Sequence, residues 1–148
     1  MLKTVVASLL ISSSAWALDF KVLGPCSETP IAQTSVPATE TTLGDFTVST
    51  LTSLKLPFTG DRSGISSIDN SPRGDEALEV LSDTQMRAYG WCVEIDGTQP
   101  DVVPDEVKVT PATKSVTWFY AYSVYDAGVW KDYCSPSWKL RTLNICRN

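Results

Sequence analysis

Histidine is absent from all 148 residues. That removes the commonest general base, the usual serine and cysteine protease arrangements, and the commonest metal ligand. Cysteine is scarce as well. Cys26, Cys92, Cys134 and Cys146 are the only four, and no Cys-x-x-Cys pair accompanies them, which argues against a structural zinc site. Basic charge is in deficit: 12 Lys and Arg stand against 17 Asp and Glu, a net charge of -5. Such a chain has no electrostatic attraction for a phosphate backbone, so nucleic acid is not expected as a partner. Long apolar runs are missing too. The one at residues 4–11 is too short to span a bilayer, and no membrane span is expected.

What is present points outward from the cytoplasm. Lys3, the short apolar run, Ser12-Ser13-Ser14 and Ala15-Trp16-Ala17 have the layout of a secretory signal peptide with an Ala-x-Ala cleavage site. Residues 1–17 are therefore expected to be removed and the remainder to be periplasmic or secreted. An even number of cysteines in an exported chain implies two disulfides, with three pairings open.

The aromatic strands organise the rest. Tyr89, Trp91, Val93 and Ile95 alternate with Gly90, Cys92 and Glu94, the period of a half-buried strand, and Asp96-Gly97 supplies a tight turn. Residues 116–122, Val-Thr-Trp-Phe-Tyr-Ala-Tyr, read as an inner strand. Alternation of Phe46, Val48, Thr50 and Thr52 predicts a strand over residues 45–52, and residues 54–58 extend or pair with it. A helix is predicted over 75–81, with Asp75 as N-cap and Ala77, Leu78 and Leu81 on one face. Residues 59–74 read as loop anchored by Ile65 and Ile68. Brief strands are expected at 107–109 and 129–133, and a short edge strand at 20–23. Residues 27–42, rich in Ser, Thr and Pro, read as an extended surface segment because Pro30 and Pro37 interrupt a ladder. The organisation is thus an extended segment over 18–44, then one domain over 45–148 with a C-terminal tail, of α+β class.

Residues 76–81, 89–97 and 116–120 together resemble the transcobalamin C-terminal-like domain family, over roughly residues 54–122. The resemblance implies a β-grasp-like mixed sheet crossed by one short helix, here disulfide-stabilised. It also implies a soluble-ligand-binding module like those of exported bacterial proteins and the animal vitamin B12 carriers. The helical barrel that completes the B12 site in those carriers has no counterpart, and Ala112-Thr113-Lys114-Ser115 replaces the usual Gly-Asp turn. The fold transfers; B12 does not. No cofactor is expected.

Candidate ligand-binding residues are the rings Tyr89, Trp91, Trp118 and Tyr120, which would stack on a small molecule or peptide if the helix leaves their face open. The hairpin position implied by the resemblance favours Tyr89 and Trp91. Core packing is the competing role for each ring. Asp96, Asp101, Asp105 and Glu106 match no calcium-loop spacing. Arg73-Gly74-Asp75 spells an adhesion tripeptide, a match short enough to arise by chance. The expected function is a non-catalytic ligand-binding or accessory module, not an enzyme. The alternative is a protein-interaction or structural module of the cell envelope that offers a sheet edge to a partner strand.

Overall fold

The computed structural model describes residues 17–140 and residue 146. The expected signal peptide therefore lies, all but Ala17, outside the described residues, as do residues 141–145 of the expected tail. At the N-terminal end, β1 (Ala17–Leu23) and β2 (Pro30–Pro37) form an antiparallel pair. Leu18, Phe20 and Val22 of β1 are fully buried, one face of a period-2 strand. This corrects two sequence expectations. Strand β1 is interior, with a partner on each side, and the segment read as unladdered carries an eight-residue strand. Its prolines occupy the first and last positions of an edge strand, where a missing N–H costs the ladder least.

Two short pairs follow: β3 (Thr41–Thr42) with β8 (Lys108–Val109), and β4 (Phe58–Asp61) with β5 (Gly64–Ile68). The second lies in the stretch read as loop, and its Ile65 and Ile68 are buried as expected. The remaining strands are β6 (Leu78–Val80), β7 (Gln85–Ile95), β9 (Ser115–Asp126) and β10 (Val129–Pro136). The main sheet runs β2-β1-β9-β7-β6. β7 and β9 pair antiparallel over their length, Tyr89 opposite Tyr122 and Trp91 opposite Tyr120. The other edge of β9 is shared. Its first half pairs parallel with β1, and its second half antiparallel with β10. Asp96 and Gly97 make the expected turn at φ 51° and 77°, and the Asp96 carboxylate accepts from the amides of Lys114 and Ser115 at 2.8 and 2.9 Å.

The helix stands where a strand was predicted. α1 (Leu43–Ser53) starts at Thr42, whose Oγ1 accepts from the Asp45 amide and donates to its carboxylate, both at 3.1 Å. That reciprocal cap satisfies an orphan amide and places an acid at the positive end of the helix. Leu43, Phe46, Thr47, Thr50 and Leu51 are buried at helical spacing, and Phe46 and Thr50 fit both a period of two and one of four. The β-branched residues that suggested a strand are accommodated because Thr50 and Thr52 donate to the carbonyls of Phe46 and Val48 at 2.8 and 2.7 Å. Conversely, residues 75–81 are not an α-helix. Gly74–Ala77 form a single 3₁₀ turn with no side-chain cap, and pairing of Leu78, Glu79 and Val80 with β7 takes the rest into the sheet.

The described fold is α+β: one helix and a mixed, mostly stranded sheet joined by two disulfides. α1 lies against the face that carries Phe20, Val93, Val116 and Trp118. Phe20 and Phe46 meet edge to face with centroids 5.9 Å apart, and Trp118 Nε1 donates to Thr47 Oγ1 at 2.9 Å. The close approach of α1 to the β4–β5 hairpin requires Gly44, because a Cβ there would collide with the backbone carbonyl of Arg62. Gly44→Ala, which ordinarily stabilises a helix interior, is here expected to lower stability by about 1–3 kcal/mol. Urea unfolding of the two proteins checks the sign.

Candidate functional site

The expected ring set belongs mainly to the interior. Strand alternation puts Tyr89, Trp91, Trp118 and Tyr120 on the same face as Val93 and Val116, the face that α1 covers. Trp118 is 2% exposed and Tyr120 0%. Beyond the end of the helix, residues 71–77 roof Tyr89 and Tyr120, which form a second small core with Ala77. Tyr89 and Tyr120 stack at 6.1 Å, and Trp91 meets Tyr120 edge-on at 5.5 Å. Each polar tip has a partner in the roof or beside it. Tyr120 Oη donates to the Pro72 carbonyl at 2.8 Å, Trp91 Nε1 to Ser71 Oγ at 2.8 Å, and Tyr89 Oη to the Glu79 carboxylate at 2.8 Å. Burial, with a smaller effect from Tyr89, pushes the Tyr120 hydroxyl well above the usual phenol range. Of the four rings, only Trp91 is half-exposed. The aromatic cluster exists, and Trp118 and Tyr120 are almost wholly buried within it, although Trp118, with Trp91 and Val93, borders a hollow of about 280 Å³ that Pro100 and Val102 also line.

Charge next to this cluster is internally matched. Arg87 Nη1 donates to Glu79 at 2.6 Å and its guanidinium lies 5.4 Å from the centre of the Tyr122 ring. The acidic residues singled out in the sequence disperse. Asp96 holds the turn to β9, and Asp105 accepts from Arg62 Nε at 2.9 Å. Among the described residues no group of three acidic, histidine or cysteine side chains is placed to hold a metal ion.

Space also opens on the other face of the sheet. Ala88, Gly90 and Cys92 alternate with the rings along β7, opposite Ser123, Ala121 and Phe119 of β9. A Cβ added at Gly90 would meet no atom within 4 Å. Over this floor of small residues stands an arch from β10. Lys131 pairs with Val124, but Ser135 pairs with Tyr122, so β10 carries two residues more than its partner. Asp132 and Cys134 take left-handed backbone, φ 53° and 51°. β9 separates β10 from β7, so the bond from Cys134 to Cys92 draws residues 132–134 across β9. Between this arch and the floor lies a trough of about 340 Å³, walled by Trp130 and Tyr133. Trp130 is 38% and Tyr133 68% exposed. Tyr125 supports Trp130 edge-on at 5.3 Å.

Trp130 and Tyr133 lie outside the four rings singled out from the sequence, which placed them within a brief strand over 129–133. The small residues alternating at 88, 90 and 92 signal a shallow face. The two-residue surplus that lifts Tyr133 over it leaves no mark in the sequence. All four cysteines are paired, Cys26 with Cys146 and Cys92 with Cys134. No helix among the described residues is long and apolar enough to cross a membrane. The chain matches no known protein family, no curated protein and no solved structure.

Proposed function

We propose that the chain is an exported, non-catalytic ligand-binding module of β-grasp type that takes its ligand in the trough between Gly90 and the β10 arch. Export is supported by the signal-like N-terminus and by the complete pairing of its cysteines, which suits an oxidising compartment. The β-grasp reading is supported by a single helix packed across one face of a mixed sheet, although that helix is α1 and not the 76–81 segment on which the transcobalamin-like resemblance rested. The observation that carries the binding reading is the pairing of a vacant strand position, Gly90, with two exposed rings above it. A pre-formed concave site lined by aromatic side chains is the usual setting for a small ligand, and 340 Å³ falls at the lower end of the range of such sites.

The test fills the trough. Gly90→Val adds a strand-favouring side chain where nothing obstructs it, so the protein is expected to fold and to gain about 0.5–1 kcal/mol. A thermal-shift screen of cyclic and aromatic metabolites, a corrinoid among them, is expected to give compounds that raise the melting temperature of the wild-type chain but not of the variant. A screen with no stabilising compound, or one whose compounds stabilise both proteins alike, overturns the reading.

A second reading has its own observation. β2 is a sheet-edge strand, and none of its residues is charged, so it lacks the commonest guard against an added strand. A chain that works through that edge keeps its protein partner in the Gly90→Val variant.

A further inference from the structure

We propose that the ligand of the trough is a small, uncharged and largely apolar molecule, stacked on Trp130 and lying over Gly90. This inference rests on the trough being the binding site and adds the class of what binds there. The lining carries no charged side chain: Ala88, Gly90, Ala121, Ser123, Trp130 and Tyr133 define its floor and walls. The polar group on the floor is partly engaged: Ser123 Oγ accepts the Cys134 amide at 3.4 Å, which leaves its single O–H to offer a ligand. Of the charges nearby, Asp132 in the arch is exposed and is not part of the lining, and the others are paired. Lys131 is paired with Asp126 at 2.8 Å, and Arg87 is held by Glu79 on the opposite face of the sheet.

A carboxylate, phosphate or ammonium entering the trough would lose water and gain no counter-charge, which penalises binding. A sugar or nucleotide fares little better. The lining holds no Asn, Gln, Asp, Glu or Arg to pair with a fan of hydroxyls or a base edge. What it offers is ring surface and small-residue backbone, which reward stacking and apolar burial. The surface continues in the same sense. Val80, Met86, Tyr125 and Trp130 are cross-strand neighbours on one row, and Val80 is 80% exposed. Asp83 and Gln85 line a neighbouring hollow, not the trough itself.

Three dyes of similar size separate the possibilities: neutral Nile red, an anionic anilinonaphthalene sulfonate and a cationic phenanthridinium. Each is titrated by fluorescence into the oxidised wild-type chain, Gly90→Val and Trp130→Ala, with circular dichroism confirming the fold of each. Nile red is expected to bind wild type at least ten-fold more tightly than either charged dye, and to lose at least ten-fold in both variants. A charged dye that binds as tightly as Nile red and is lost in Gly90→Val overturns the uncharged class while leaving the trough as a site. Binding of all three unchanged in Gly90→Val overturns the trough itself. A wild-type dimer that becomes monomeric in Gly90→Val, seen by light scattering, also overturns the proposal, because a second copy would then fill the trough.

Discussion

Trp118→Ala is expected to lower the stability of the protein by about 3–5 kcal/mol, the range for deleting a large buried aromatic side chain. The ring lies between α1 and the sheet, 2% exposed, so its removal leaves a cavity bounded by elements whose positions are fixed from two sides. Its indole N–H adds to the effect. Thr47→Val keeps the volume at the helix but removes the acceptor 2.9 Å away, leaving a buried donor unpaired at a cost of about 1–3 kcal/mol. Chemical denaturation of both variants measures the two contributions. A loss below about 1 kcal/mol for Trp118→Ala would contradict the packing role and return the ring to the set of ligand candidates.

The second large effect concerns the longer disulfide. Cys26 and Cys146 are 120 residues apart, with Cα atoms 5.3 Å apart; Cys92 and Cys134 are separated by 42 residues. Closing the longer loop restricts the unfolded chain more. Replacing both Cys26 and Cys146 by serine is therefore expected to cost about 5 kcal/mol, and about 1 kcal/mol more than the same change at Cys92 and Cys134. The contrast between the two double variants is the informative quantity, read from their denaturation midpoints. Intact mass under denaturing conditions should rise by four hydrogens on reduction of the wild-type chain. A smaller rise would show that one bridge is not formed.

The central pair was legible because its signals are local and redundant. Tyr89, Trp91, Val93 and Ile95 alternate, Asp96-Gly97 supplies the turn, and Val116 to Tyr122 is too apolar for an outer strand. The α+β class was reached through a helix assigned to the wrong segment, and the disulfides through the cysteine count. The helix was misplaced because Phe46 and Thr50 satisfy two periods at once. The deciding feature, the bond between Thr42 and Asp45, depends on Thr42, which was read as belonging to a separate segment. At 75–81 the helical pattern is real, but three of its residues pair with β7, and tertiary pairing outweighs a weak local preference. Site residues were harder still. Alternation shows that Tyr89 and Trp91 share a face with Val93, yet not which face the helix will cover. The roof over Tyr120 comes from Pro72, 48 residues away, and the arch over Gly90 from a surplus in β10. Neither is encoded near the residues it governs.

The parallel pairing of β1 with β9 also bears on when the chain can fold. Asp19 lies opposite Ser115, so Leu18, Phe20 and Val22 have no complete partner surface until most of the polypeptide is available. Contacts this distant in sequence form slowly, and they cannot form at all on a nascent chain that has not reached β9. A growing chain of this topology stays open while it is being made, and under the proposed export this is the state that would be threaded across a membrane before the sheet closes and the cysteines pair.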